Sequence, residues 1–171
     1  AVIEKVNSSF MSESLNFTHN ADRSTIYAEI APQVDALVSA ETDVIANLAN
    51  VAAVLKQAFG FFWVGFYIVK DGELVLGPFQ GPLACTRIRP DQGVCGHAYT
   101  TRETVIVPDV DKFPGHIACA SESRSEIVVP VFAASGEVFG VLDVDSSQLN
   151  DFSDIDQVGL ERIVRSIEAA L

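Results

Sequence analysis

Three cysteines are the residues of this 171-residue sequence with the clearest capacity for chemistry. Cys85, Cys95 and Cys119 follow a C-x9-C-x23-C spacing and lie outside any apolar periodicity. Inert buried thiols usually lie within such a periodicity, so the spacing favours free or redox-active thiols, although three unreactive thiols also fit it. A Gly-Val-Cys-Gly segment places Cys95 near a predicted helix start, where unpaired backbone N–H groups favour a thiolate.

A metal site is the competing interpretation of the same region. Cys95-x-His97 and His116-x-x-Cys119 together supply two sulfur and two imidazole ligands. The C-x-H step is shorter than the usual spacing of zinc ligands, and the sequence contains no C-x-x-C pair. His97 and His116 fit surface or supporting positions equally well, and we expect His19, in a polar segment, to be solvated.

Carboxylates occur on two of the predicted strands. Asp143 and Asp145 are two residues apart, so both project from one face of a strand. On an interior face the pair needs a cation, such as a primary ammonium group, whereas on a solvated face it needs none. Glu126 begins the preceding strand and either pairs with Arg124 or Lys112 or, if buried, has a raised pKa and can donate a proton.

Trp63 and Tyr67 lie four residues apart on an earlier predicted strand and therefore share a face. Core packing accounts for such an aromatic pair as well as a ligand-binding wall does. Taken together, the thiols, a proton-holding acid, an anionic pair and an aromatic wall predict thiol redox chemistry on a small zwitterion.

Periodicity and turn signals predict the elements that must position these residues. Apolar spacing predicts two helices before any strand, one beginning at Ser24 and one capped by Thr42 or Asp43. Ser153 and Asp156 form a capping-box pattern before a closing helix. Helices at both ends of consecutive antiparallel hairpins indicate an α+β fold. The remaining predicted elements are a short helix over 93–101 and strands over 61–69, 73–76, 86–88, 104–107, 126–133 and 137–145.

The composition excludes several classes of protein. Apolar residues make up 49% and charged residues 20%, which predicts one globular domain, 24–171, after an N-terminal arm, 1–23. Eleven Lys and Arg against 23 Asp and Glu give a net charge of −12, so we expect neither nucleic acid nor an anionic membrane as a partner. Without a membrane-length apolar run or a recognisable signal peptide, and with an odd cysteine count, the sequence favours a cytoplasmic protein.

Several segments of the sequence are distinctive in combination. They are WVGFY at 63–67, GPFQGP at 77–82, GVCG at 93–96, VPDV at 107–110, FPGHIAC at 113–119, SRSEIVVP at 123–130 and GVLDVDS at 140–146. With all three cysteines in matching motifs, residues 24–171 resemble the free methionine-(R)-sulfoxide reductases, which are single-domain GAF proteins. The first 23 residues lie outside this resemblance.

The resemblance implies a GAF domain, with an antiparallel sheet of about six strands and helices on both sides. It implies an oxidoreductase that reduces free L-methionine-(R)-S-oxide to L-methionine. Cys119 is the implied nucleophile, with Cys95 as the second choice, and Cys85 and Cys95 are the implied thiols that form disulfides in turnover. The expected partners are thioredoxin, which supplies the electrons in place of a bound cofactor, and a second copy of the chain in a homodimer.

In the mechanism that the resemblance implies, the thiolate attacks the sulfoxide sulfur while Glu126 protonates the oxygen, and the resulting sulfenic acid condenses with a second thiol. Asp143 and Asp145 hold the α-ammonium group, and Trp63 and Tyr67 enclose the side chain. The main alternative is a GAF sensory module that binds a small ligand without catalysis and transmits the binding signal to a partner. The third possibility, the zinc site, predicts stoichiometric metal in the purified protein.

Overall fold

The computed structural model of the protein describes residues 14–171. Residues 14–22 are irregular and pack Leu15 and Phe17 against the helical side of the core. The predicted arm, 1–23, therefore falls partly outside the described residues, and its boundary stays a prediction. Over 14–171, no helix is both long enough and apolar enough to cross a membrane.

Within the described residues, polar side chains cap three of the helices, and the sequence predicts the caps of the second and the last. The carboxylates of Asp22 and Asp43 accept hydrogen bonds from first-turn N–H groups, and Ser153 and Asp156 form the predicted capping box. Pro32 lies inside the first helix without ending it. The helices are α1 (Arg23–Ser39), α2 (Val44–Phe59), α3 (Gly93–Thr101) and α4 (Asp154–Ala169).

One antiparallel sheet occupies the middle of the described chain. Its strands are β1 (Trp63–Lys70), β2 (Glu73–Gln80), β3 (Arg87–Ile88), β4 (Val105–Val107), β5 (Ser125–Phe132) and β6 (Val138–Ser146). Their order across the sheet is β3-β2-β1-β6-β5-β4, and each neighbouring pair is antiparallel. The α+β class, the strand count and the hairpins predicted from the sequence are confirmed.

Strand β2 is longer than its predicted range. The sequence pattern ends it at Leu76, because Gly77 and Pro78 resemble a turn. In the structure it continues to Gln80, since Phe79 pairs with Gly65 of β1 across a bulge. Pairing with a buried central strand therefore overrides the local turn signal.

The two faces of the sheet bury different clusters, because successive strand residues point to opposite sides. Val64, Phe66 and Leu142 belong to the larger cluster, which α1, α2 and α4 cover. Trp63 and Tyr67 belong to the smaller cluster on the other face, where α3 packs against β5 and β6. Helices thus cover both sides, and the thinner α3 side leaves room for a site.

Candidate active site

Three carboxylates converge on the α3 face of the sheet through the register of its central strands. Asp145 of β6 is paired with Glu126 of β5 on one side and with Trp63 of β1 on the other. Asp143 lies two residues earlier on β6, opposite Gly65. The alternation of side chains therefore places all three acids on one face, as the sequence predicts for Asp143 and Asp145.

A pocket lies between this face, α3 and the loops before β3 and β5. The predicted site residues that line it are Trp63, Tyr67, Cys95, Cys119, Glu126, Asp143 and Asp145. Cys85 is not a lining residue, but it is bonded to one, so the structure brings all the predicted site residues together.

Cys85 and Cys119 form a disulfide, with their Cα atoms 5.2 Å apart and a sequence separation of 34. The bond joins the loop after β2 to the loop before β5. The hydroxyl of Tyr67 donates a 2.9 Å hydrogen bond to the carbonyl oxygen of Cys85 and fixes this side of the bond. The structure is therefore that of an oxidised state of the thiol pair.

Cys95 is the free cysteine, and it is buried in the first turn of α3. Its Sγ atom lies 4.0 Å from Oε1 of Glu126. Burial raises the pKa of this thiol well above its usual range, and the nearby charges of Asp143 and Glu126 raise it further. Burial and the neighbouring acids therefore oppose the thiolate that the helix start favours in the sequence analysis.

The three carboxylates lie close together, with Glu126 and Asp143 buried and Asp145 partly buried. Burial raises the pKa of Glu126, Asp143 and Asp145, and the charge of Asp143 raises that of the other two further. The hydroxyl of Ser123 donates a 2.9 Å hydrogen bond to Asp145, whereas Oδ1 of Asp143 is buried without a hydrogen-bond partner. The face is thus interior, and the solvated alternative does not apply to Asp143.

The alternative partners of Glu126 lie elsewhere. Among the described residues, Glu126 forms no ion pair with Arg124 or Lys112, and Nζ of Lys112 is 4.0 Å from a carboxylate oxygen of Asp109. The lining of the pocket, as far as the described chain supplies it, includes no lysine or arginine. A buried group of acids without a basic side chain is suited to a cationic ligand.

An aromatic wall closes the pocket beside the acids. The rings of Trp63 and Tyr67 are stacked with centroids 6.0 Å apart, and Trp63 also stacks on Phe79 at 5.3 Å. The indole N–H donates a 3.1 Å hydrogen bond to the carbonyl oxygen of Pro82. A Cβ atom at Gly65 would lie 2.8 Å from the indole ring, so the missing side chain makes room for Trp63. The pair packs in the core and also lines the pocket.

The zinc ligand set considered from the sequence is not assembled in this structure. Cys119 is bonded to Cys85. His97 packs its ring edge-on against Phe113, with centroids 5.7 Å apart, and does not line the pocket. Over residues 14–171, the ligand atoms that do converge belong to Cys95, Glu126 and Asp143.

Two further residues line the pocket: Ser123, which the sequence analysis gave no role, and His116, which it considered as a zinc ligand or a supporting residue. Ser123 orients Asp145, and His116 lines the pocket with Nδ1 buried and without a hydrogen-bond partner. Partial burial lowers the pKa of His116, which keeps its imidazole neutral. Neither residue has a periodic neighbour pattern, since both lie in the loop before β5. The only signal was their place in the quoted motifs.

The curled six-stranded sheet with helices on both faces and a pocket beside α3 defines a GAF domain, and the GAF-domain family model matches residues 39–171. GAF domain-containing protein A of Dictyostelium discoideum is 56% identical over 143 residues, which are 83% of this chain and 90% of that protein. The free methionine-R-sulfoxide reductase of Escherichia coli is 41% identical over 151 residues, which are 88% and 91% of the two chains.

A solved structure agrees with these relatives. The free methionine-R-sulfoxide reductase of Neisseria meningitidis, in complex with its substrate, superposes with a TM-score of 0.89 at 53% identity, covering 92% of this chain and 94% of that one. The chain belongs to the GAF-domain family, in the group that contains the free methionine-R-sulfoxide reductases.

Proposed function

We propose that the protein reduces free L-methionine-(R)-S-oxide to L-methionine, with electrons from a dithiol protein such as thioredoxin. The observation that carries this proposal is the Cys85–Cys119 disulfide beside a pocket with a buried anionic floor. A thiol pair supplies the two electrons of the reduction, and the anionic floor fits the ammonium group of a zwitterionic substrate. The 53% identical relative is a free methionine-R-sulfoxide reductase in complex with its substrate, which supports the same assignment.

The positive charge of the α-ammonium group explains why the substrate is a free amino acid rather than a peptide. Asp143 and Asp145 receive the α-ammonium group, which supplies the cation that the floor of the pocket lacks. Trp63 and Tyr67 pack against the thioether side chain and its methyl group. A methionine sulfoxide within a peptide carries a neutral amide in place of the ammonium group, so its binding would leave the acids uncompensated.

The first chemical step oxidises Cys119. Its thiolate attacks the sulfoxide sulfur while Glu126 gives its proton to the sulfoxide oxygen, which otherwise is a poor leaving group. The hydroxyl passes to the cysteine sulfur, and methionine departs with its sulfur reduced by two electrons. The products are the sulfenic acid of Cys119, methionine and the Glu126 carboxylate. The raised pKa of Glu126 supports this role, since burial and the charge of Asp143 favour its protonated form.

The second step uses Cys85. Its thiol attacks the sulfenic sulfur, water leaves, and a disulfide forms between the pair that is bonded in this structure. A dithiol protein then exchanges with the disulfide, so both cysteines return to thiols and the reductant becomes a disulfide. Cys95 has no role in this scheme, because it is buried and lies outside the disulfide.

The decisive experiment is an epimer-resolved assay. The reduced protein is freed of reductant and mixed with either the R or the S epimer of free methionine sulfoxide, and methionine is quantified. We expect about one methionine per enzyme from the R epimer and none from the S epimer. Cys119→Ser should form none, whereas Cys85→Ser should form about one and then stop, because it cannot make the recyclable disulfide.

Other outcomes contradict the proposal. Equal consumption of both epimers would refute the selectivity, and a full equivalent of methionine from Cys119→Ser would move the nucleophile elsewhere. Saturable binding of the R epimer without any methionine would support a sensory module instead. Cys95→Ser is the matched control, since it removes a thiol of the same region and should still turn over.

A further inference from the structure

The floor of the pocket contains a group of ligand atoms that suits a metal ion. Sγ of Cys95 and carboxylate oxygens of Glu126 and Asp143 all lie within 4.8 Å of one another. The three residues are only 4%, 5% and 6% exposed, respectively. Each comes from a different element, namely α3, β5 and β6, so packed backbone rather than a loop fixes the position of each ligand.

The separations are close to those of a zinc site. With zinc–sulfur and zinc–oxygen bonds of about 2.3 and 2.0–2.2 Å, neighbouring tetrahedral ligand atoms are about 3.5 Å apart. Sγ of Cys95 is 4.0 Å from Oε1 of Glu126, so a small side-chain adjustment brings the group to bonding distance. The group lines the open pocket, which leaves the fourth position for water.

Charge and an unpartnered atom point to the same site. Oδ1 of Asp143 is buried and has no hydrogen-bond partner within the described structure. The acids beside it have no lysine or arginine among the described lining residues. A divalent cation compensates two charges at once, and it provides the missing partner of the Asp143 oxygen.

The donor set selects the type of metal. Magnesium and calcium take oxygen ligands almost exclusively, so a thiolate disfavours them. Cuprous copper favours sulfur and gains little from two carboxylates. One thiolate with two carboxylates suits zinc, and it also suits cobalt, which serves as a spectroscopic substitute.

We propose that Cys95, Glu126 and Asp143 bind a zinc-type divalent cation, and that this cation and the substrate's ammonium group exclude each other. The cation site rests on the geometry alone, whereas the exclusion rests on the proposed function. Zinc would then inhibit the reductase by occupying its pocket, without contact with Cys85 or Cys119. This ligand set differs from the one considered in the sequence analysis, because it uses neither Cys119 nor a histidine.

The test uses the protein in its disulfide form, in which Cys95 is the only thiol of the three cysteines. Cobalt is titrated while the near-ultraviolet thiolate-to-cobalt absorption is followed, and zinc is titrated by calorimetry. We expect one equivalent of either metal. Cys95→Ser should abolish the absorption, and Glu126→Gln, which keeps the thiol, should weaken zinc binding by about tenfold or more. His97→Gln, on the exposed side of α3, is the matched control and should bind zinc unchanged.

Absence of the absorption in the disulfide form would overturn the site, and so would unchanged zinc affinity in Glu126→Gln or its loss in His97→Gln. The exclusion is tested by adding free L-methionine-(R)-S-oxide to the cobalt-loaded protein, which cannot turn over without reductant. Loss of the absorption supports exclusion, and its persistence at saturating sulfoxide refutes it. Cobalt binding without sulfoxide reduction in the epimer assay would sink the proposed function alone, and reduction without cobalt binding would sink the metal site alone.

Discussion

Replacement of Asp143 by Asn tests whether the buried acids bind the substrate's ammonium group. Asp143 is 6% exposed, and its Oδ1 atom has no hydrogen-bond partner within the described residues. The variant keeps the shape of the side chain and removes its charge. Its new amide protons face the carboxylates of Glu126 and Asp145, which can accept them, so we expect the fold to be retained.

The magnitude follows from the loss of one buried, charge-assisted interaction. Hydrogen bonds to charged groups contribute about 1.5–3 kcal/mol. At about 1.4 kcal/mol per tenfold, Asp143→Asn should lower kcat/KM for free methionine-(R)-sulfoxide by about 10- to 150-fold. We expect the loss mainly in KM, because the ammonium group lies away from the reacting sulfur and interacts equally in the ground and transition states.

N-acetylation of the substrate tests the same interaction by a change in the ligand, because it replaces the ammonium group by a neutral amide. The wild type should have a much higher kcat/KM for free methionine sulfoxide than for N-acetylmethionine sulfoxide. In Asp143→Asn this ratio should be smaller, by about the factor by which the variant loses kcat/KM for the free substrate. Glu137→Gln, which removes a carboxylate at the exposed β5–β6 turn, is the charge-matched control and should behave as the wild type. Equal discrimination by the wild type and Asp143→Asn would falsify the ammonium assignment.

Two further predictions concern the neighbouring acids. Glu126→Gln should lower kcat by about 10²- to 10⁴-fold with a smaller change in KM, because the amide cannot donate an acidic proton; an unchanged single-turnover rate would contradict this role. The pKa values of Glu126 and Asp145 are raised in the folded protein. At pH values above the ordinary pKa range of carboxylic acids, the folded protein therefore binds more protons than the unfolded chain. The stability of the substrate-free protein should therefore fall as pH rises from that range through the raised values, by up to about 1.4 kcal/mol per pH unit for each proton. Urea unfolding across this window should give a shallower dependence for Asp145→Asn, which can still accept the Ser123 hydrogen bond, and an identical slope would argue against buried, raised acids.

Local signals were enough to predict most of the fold. The Asp71-Gly72 turn joins β1 to β2 with positive φ at both residues, as a two-residue hairpin requires, and the range predicted for α3 matches its observed bounds. The second helix is capped by Asp43, one of the two predicted caps. The exception is β2, whose last residues are held by β1 rather than by their own propensity. Information of that kind is not local, so the sequence pattern does not contain it.

The same distinction between local and non-local information applies to the candidate site. The shared face of Asp143 and Asp145 follows from strand alternation, which is a local rule. The protonation state of Cys95 does not, since it depends on acids that β5 and β6 bring against α3 from 31 or more residues away. The Cys85–Cys119 bond joins two loops whose approach is set by the sheet, and spacing alone left every pairing of the three thiols open.

Replacement should change the stability of the protein in opposite directions for an acid of the pocket and for a structural carboxylate. Asp156 is buried as well, but it bonds Arg23, Tyr27 and its own helix N-terminus, so its removal should destabilise the protein. Burial disfavours the charge of Asp143, and that charge raises the pKa of Glu126 and Asp145, so its conversion to Asn should stabilise the substrate-free protein while it weakens substrate binding. Both effects arise from the same buried negative charge, which the ligand's positive charge compensates. If Asp143→Asn instead lowered the free energy of unfolding, Asp143 would have a structural role, and the anionic floor would no longer explain the preference for a free amino acid.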